Sequence, residues 1–307
     1  MRNTLAAWRS RHRSPGAEKT SADERGLLSH HERSGGIGRA VSRVVITTTF
    51  VLLSIVSVGP LLWMVKGSLS SAAEVRSSPL AAPDVLRWSN YTTAWNQIGI
   101  AQFTVNSLII TGGIVVLSVL LSAMLAFVLS VLRPRFGPVI EFAVLATLFI
   151  PGVISLVPLY LTVIEIGLLD SYWALWLPAG ANALNVLLIL QHLRGIPPEL
   201  FEAARIDGAG PLRIFVSIAL PLSKPVLGAV ALLSFAASWK DYLWPLLALP
   251  STARQPLSVA LSRLAPTTDQ AVLMAGMVIA VAIPLLIFLV FQRQVLNGAG
   301  ASGAIKG

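Results

Sequence analysis

The chain has no cysteine among its 307 residues, and only 12% of them carry charge. Without cysteine there is no disulfide framework, no thiol nucleophile and no thiolate metal site. The four histidines supply no metal pattern. In His30-His31-Glu32 the helical His-Glu-x-x-His spacing would need a histidine at position 34, which is Ser34. No metal and no cofactor are expected. A Gly-x-x-x-x-Gly-Lys-Ser/Thr phosphate loop is also missing, so the chain does not cradle ATP by that route. A soluble domain averages about a quarter charged residues, and a chain this poor in charge is not an ordinary cytosolic globule. What fills it instead is apolar: 55% hydrophobic side chains and a mean hydropathy of +0.74.

A helix that crosses a hydrocarbon core about 30 Å thick needs about 20 mostly apolar residues, each rising about 1.5 Å. Long uncharged intervals therefore mark candidate spans. Val44 to Val65 lies between Arg43 and Lys66, and Trp88 to Leu132 contains no charge. Only the later part of that second interval is expected to be helical, from near Phe103, because Trp88-Ser-Asn-Tyr and Trp95-Asn-Gln are polar and aromatic. Phe142 to Ile164 and Ser171 to Leu193 follow, separated by Gly167-Leu-Leu-Asp170. A fifth span starts near Leu222. Pro225 to Trp239 is too short alone, so this span is expected to reach about Leu247 and to carry Lys240 and Asp241. Gln270 to Gln292, closed by Arg293, is the sixth. The expected fold class is an all-α membrane protein with six transmembrane helices.

Six spans put both termini on one side of the bilayer. Seventeen of the 23 Lys and Arg fall on that side and six on the other, and the cation-rich side is the cytoplasmic one. The formal charge of +9 is then a topology signal and an attraction to membrane lipid with anionic headgroups, and no nucleic acid is needed as a partner. Residues 1–40 are rich in Arg, Ser, His and Gly and are expected to be a disordered cytoplasmic extension. The apolar run starts too late and runs too long for a cleaved signal peptide. Residues 298–307 are expected to be a flexible cytoplasmic tail. Gly298-Ala-Gly300-Ala-Ser-Gly303 has the glycine spacing of a dinucleotide fingerprint, but it follows an apolar helix instead of a strand.

The segment 197–221, between the fourth and fifth spans, carries the most information. Pro197 and Pro198 stop the preceding span, and Glu199 to Ile206 forms a short helix with acidic residues near its start, where the helix dipole favours them. Asp207-Gly208 ends it, since a positive φ comes cheaply only to glycine. A second helix is expected from Pro211 to Ala219, with proline at its favourable first position. The product is a cytoplasmic helix-turn-helix, and the small pair Ala203 and Ala204 allows close approach by another protein.

At this point the sequence resembles the integral membrane permeases of binding-protein-dependent ATP-binding-cassette importers. Their cytoplasmic signature is Glu-Ala-Ala, three residues, Gly, nine residues, Ile-x-Leu-Pro; Glu202-Ala203-Ala204, Gly208, Ile218, Leu220 and Pro221 fit at every spacing. The likeness is closest to the carbohydrate branch related to maltose permeases. Asn90-Tyr91, Asn106-Ser107-Leu108, Ile150-Pro151-Gly152, Val157-Pro158-Leu159-Tyr160, Gly167 to Pro178, Trp239 to Pro245 and the closing Gly303-Ala-Ile-Lys-Gly307 support it. The family usually has Asn where Lys240 stands, so no role is carried over to that position.

The resemblance implies a permease domain over 41–297 in a bacterial plasma membrane, with both termini cytoplasmic. Such a subunit forms half of a translocation pathway for a sugar, beside a second permease subunit, two ATP-binding-cassette ATPase subunits and an extracytoplasmic solute-binding protein. The chain itself is not an enzyme, and it has no catalytic residues. Glu202, Ala203, Ala204, Asp207, Gly208, Ile218, Leu220 and Pro221 form its coupling loop, in which Glu202 makes a charge-assisted bond to a basic group of the ATPase. Asn106, Asn182 and Asn185, with Gln191, are polar residues in or near spans; they line the pathway or hold the helices together by hydrogen bonds. Lys240 and Asp241 are expected near the outer interface, snorkelling or paired with each other by default, with contact to substrate as the alternative. The alternatives are the same architecture importing a polyol or a sugar phosphate, and a secondary transporter. The last predicts carboxylates at mid-bilayer, whereas Glu141, Glu165 and Asp170 sit at span ends. The outer segment Ala248 to Asp269 is long enough to reach a docked binding protein.

Overall fold

The computed structural model describes residues 17–78, 81–180 and 182–300, and every regular element among them is helical. Residues 1–16 and 301–307, on which parts of the expected extension and tail fall, lie outside the described residues. The first unit ends at Trp63 and belongs to helix α1 (Ala17–Ser68). Its apolar side chains from Val44 to Trp63 are exposed right round the helix, Phe50 and Val56 each by about 70%.

The second unit begins at Met64. It contains α2 (Ala72–Ser77), α3 (Ser89–Asn96), α4 (Ile100–Phe127), α5 (Gly137–Ala146), α6 (Leu156–Glu165), α7 (Trp173–Gly180), α8 (Ala183–Arg194), α9 (Pro198–Ile206), α10 (Pro211–Ile214), α11 (Leu220–Leu222), α12 (Lys224–Lys240), α13 (Leu243–Ala248), α14 (Leu257–Leu264) and α15 (Gln270–Gly300). Helix α4 is the hub and packs on α7, α8 and α12, while α12 also packs on α15. Small residues make this possible. Gly113 of α4 lies so close to the Trp176 ring that a Cβ would clash with it, and the Trp176 indole N–H donates to the Ile110 carbonyl at 3.1 Å. Lipid exerts no hydrophobic drive between helices, so close packing and hydrogen bonds across helices hold such a bundle. Asn185 of α8 donates to Ser118 of α4 at 2.7 Å and to Ser234 of α12 at 2.8 Å, and so ties three helices at one point.

Three helices, Ser42–Ser68, Ile100–Leu132 and Gln270–Gln292, are each long and apolar enough to cross a bilayer, and three bent pairs raise the number to six if each pair is one span. The expected straight span from Phe142 to Ile164 is broken. Its two halves, Gly137–Phe149 and Gly152–Glu165, meet at 101°. Pro151 has no N–H to donate and forces Ile150 into an extended conformation (φ −90°, ψ 113°). The fifth span also differs from expectation. Helix α12 stops at Lys240, and Asp241 turns the chain with extended dihedrals before α13. Upstream, the helical run does not stop at Ala219 but reaches Leu222, then bends by 79° into α12. A π-turn over Phe215–Ala219 precedes Pro221; widening the helix there relieves the clash of the proline ring with the carbonyl four residues back.

Candidate functional site

The segment 197–221 is built on the C-terminal end of α4. Past Phe127 this helix widens into a π-turn, Val128–Leu132, closed by the Arg133 N–H donating to the Val128 carbonyl at 3.0 Å. A helix end leaves carbonyls without partners, and one is taken up from outside: the Arg205 guanidinium of α9 donates to the Val131 carbonyl at 2.8 Å. One turn back, Phe201 is only 5% exposed. It is buried with Phe127 and Phe215, whose ring centroids are 5.2 Å apart. Ala204, Ile218 and Leu220 pack against the same core. One face of α9 is thus fixed by an aromatic anchor and a charged hydrogen bond.

The end of α9 is fixed as firmly. The Ala209 N–H donates to the Ala204 carbonyl at 2.9 Å, and the Gly208 N–H to that of Arg205 at 3.0 Å, which is the paired pattern of a Schellman cap. Gly208 has φ +79° with nothing within 4 Å of where a Cβ would stand. Glycine is required there by backbone conformation, not by space. Asp207, the last residue before it, is exposed.

The other face of α9 points away from the protein. Glu202, Ala203 and Ile206 are exposed, Ile206 by 86%, and Leu200 and Leu212 flank them with 48% and 74% exposed. Glu202 takes part in neither of the two ion pairs among the described residues; it lines a groove of about 120 Å³ with Phe201, Arg133, Arg194 and Arg205. The signature therefore divides by job. Ile218, Leu220 and Ala204 face the core, while Glu202, Ala203 and Asp207 are presented, and Pro221 shapes the bend behind them. Arg205 and Phe201 were not among the sequence candidates. The signal was present, because Phe201, Ala204 and Arg205 share one face at helical spacing, but the carbonyl that Arg205 reaches is 74 residues away.

Asn106, Asn182 and Asn185 are committed to bonds, whereas the buried hydroxyls of Thr104 and Ser122 in α4 have no partner among the described residues. The Asn106 amide donates to the carbonyls of Ala253 and Gln255 at 2.9 and 3.0 Å and accepts from the Tyr172 hydroxyl at 3.1 Å. It thereby holds the segment after α13 against α4. Asn182 caps α8 by accepting from the Asn185 N–H at 3.1 Å, and Gln191 is exposed. Asp170, at φ +60°, accepts from Arg254 and, at 3.1 Å, from the Ser251 N–H. Lys240 and Asp241 do not pair with each other. Lys240 is exposed, and Asp241 lines a cavity of about 240 Å³ with Ser107, Thr111, Ser238, Trp239 and Trp244.

The family described as binding-protein-dependent transport system inner membrane component matches residues 26–297. The chain belongs to this family. The match starts within the amino-terminal segment, earlier than residue 41. Among relatives of this permease, the diacetylchitobiose uptake system permease protein NgcG of Streptomyces coelicolor is 32% identical, over 83% of this chain and 86% of the relative. The arabinooligosaccharides transport system permease protein AraQ of Bacillus subtilis is 31% identical, over 87% and 97%. The crystal structure of a bacterial ABC transporter involved in the import of the acidic polysaccharide alginate contains a chain with the same fold, at a TM-score of 0.72 and 24% identity, over 82% of this chain and 96% of that one. The permease is thus a membrane component of an importer and not an enzyme; ATP hydrolysis belongs to a separate subunit.

Proposed function

We propose that this chain forms half of the translocation pathway of a sugar importer and takes up the work of its ATPase partners through α9. The observation that carries the reading is the division of α9 into a fixed and a presented face. A helix that transmits displacement must be bound rigidly to the bundle it moves, and its contact face must be open to the motor. Phe201 and Arg205 supply the first condition, and Glu202, Ala203 and Ile206 the second. A second permease subunit completes the pathway, two ATPase subunits receive the two coupling loops, and a solute-binding protein delivers substrate from outside. Nucleotide-driven closure of the ATPase pair shifts both loops and switches access between the two sides. The 79° bend at Ser223 is where displacement of α9 to α11 becomes tilt of α12.

In this reading each bent pair is one span, which gives six spans and cytoplasmic termini, in agreement with the cation count. The substrate class rests on relatives named for diacetylchitobiose and for arabinooligosaccharides. Glu202 pairs with a basic group in the ATPase cleft, where a buried charged hydrogen bond outweighs a neutral one about twofold. The test is Glu202→Ala in the assembled transporter, with ATPase association, binding-protein-stimulated ATP hydrolysis and sugar uptake measured together. Uptake and stimulated hydrolysis are expected to fall at least tenfold while the permease still reaches the membrane. Uptake at the unsubstituted rate overturns the coupling role.

A further inference from the structure

We infer that the cleft between the end of α4 and the start of α5 is a binding site for an anionic phospholipid, with Arg133 and Arg135 holding its phosphodiester. A cavity of about 460 Å³ opens there, lined among others by Arg133, Arg135, Arg194 and Glu141. Three guanidinium groups against one carboxylate leave it with a surplus of two positive charges. Arg194 is already used: its fork bonds both oxygens of Glu141, at 2.9 and 2.6 Å. Arg133 is held by its Nε, which donates to the Ser130 carbonyl at 2.9 Å, so its terminal nitrogens are directed elsewhere. Arg135 enters neither ion pair among the described residues. Arg133 also occupies the left-handed backbone region at φ 48°, a conformation that favours glycine, at the turn that delivers it to the cleft. The first residues of α5, Gly137 and Pro138, line the same cavity and add the positive end of the helix dipole.

The surface beside the cleft identifies a lipid as the occupant. Phe142 stands one turn on from Pro138, which lines the cavity, and is exposed by 75%, with Val139 exposed by 66% on the adjoining side of α5. A soluble anion has no use for exposed apolar side chains at the edge of its site, whereas a phospholipid places its acyl chains along them and its phosphate among the arginines. Basic pockets between membrane helices on the cytoplasmic side are where anionic headgroups bind. Arg133 and Arg194 also line the groove next to Glu202, so a lipid in the cleft adjoins the coupling helix. The assignment rests on the reading above that this end of the bundle is cytoplasmic.

Native mass spectrometry of the assembled transporter, titrated with phosphatidylglycerol or phosphatidylcholine, tests it in the Arg133→Gln, Arg135→Gln double variant. Affinity of the tightest phosphatidylglycerol site is expected to fall about thirtyfold, from ~1 kcal/mol for each arginine, and that of phosphatidylcholine, whose choline cation offsets the charge of the same phosphodiester, to fall far less. Arg135→Gln alone, which removes no bond or ion pair described above, is expected to give about a fivefold fall and covers the case in which the double variant does not assemble. Undiminished phosphatidylglycerol affinity in both variants overturns the proposal. So does an equal loss for phosphatidylcholine, or displacement of the lipid by equimolar glycerol phosphate. Because lipid retention is read without transport, failure of the coupling reading would show separately, as unchanged uptake in Glu202→Ala with the lipid result unaffected.

Discussion

Replacing Gly208 by alanine isolates one physical quantity. The glycine sits at φ +79° with open space where a Cβ would be built, so alanine meets no neighbour and pays only for the left-handed backbone. That cost is roughly 1–2 kcal/mol. It falls on the Schellman cap, whose bonds run from the amides of Asp207, Gly208 and Ala209 to the carbonyls of Ala203, Arg205 and Ala204. Hydrogen exchange at those three amides reads the local opening equilibrium, and a cost of 1–2 kcal/mol speeds it about five- to thirtyfold. Asparagine tolerates the left-handed region better than alanine, so Gly208→Asn is expected to fall between Gly208→Ala and the unsubstituted chain. Amides of α4 are expected to be unaffected in both. Exchange in Gly208→Ala as slow as in the unsubstituted protein would refute the reasoning, because the turn would then not depend on a positive φ. Equal acceleration in the Ala and Asn variants would also refute it, since that would point to lost packing.

Asn185→Leu removes two bonds between helices, each worth about 0.6 kcal/mol inside a membrane bundle. A loss of about 1 kcal/mol in thermal or denaturant unfolding is expected, and it should shrink when Ser118→Ala and Ser234→Ala are added. Asp170→Asn is expected to cost under about 1 kcal/mol, since the Arg254 pair is half open to solvent and screened and asparagine keeps the left-handed backbone and an acceptor for the Ser251 amide; unfolding measured at low and high salt checks it. Glu74 is held below the usual carboxylate range, first by the Ser71 amide, then by the Ser71 hydroxyl and the Asp84 amide. A depressed value means that the support of the α2 cap is complete above the unfolded carboxylate range and is lost as pH falls through the depressed value. Exchange of the Ser71 and Asp84 amides, corrected for intrinsic rates, is therefore expected to be protected at neutral pH and to lose protection in acid; protection unchanged in acid would contradict it.

The start and capping signals of α9 were legible because they are local. Proline at the start, an acidic first turn and a glycine that alone tolerates a positive φ act within one helix, and α9 appears at Pro198–Ile206 with Gly208 as its cap. The spans were less legible. Hydropathy counts apolar residues without regard to direction, so the interval from Phe142 to Ile164 read as one rod although Pro151 breaks it by 101°. The end of the fifth helix was missed for a related reason. A required length was imposed on α12, whereas the chain turns at Asp241 and the helical run before α12, Pro211–Leu222, forms the other half of a bent pair.

By itself the sequence determined that the chain belongs in lipid, where its cations concentrate, and which seven positions form the importer signature, because composition, charge and spacing are read along the chain. Only the tertiary structure decided which face of α9 is held and which is offered. That outcome depends on Phe201 meeting Phe127 and Phe215, and on Arg205 finding the Val131 carbonyl at the widened end of α4. The same holds for Asn106 and Asn185. Their residue type required partners in a medium without water, but the choice of the segment after α13 for one and two neighbouring helices for the other was made by packing.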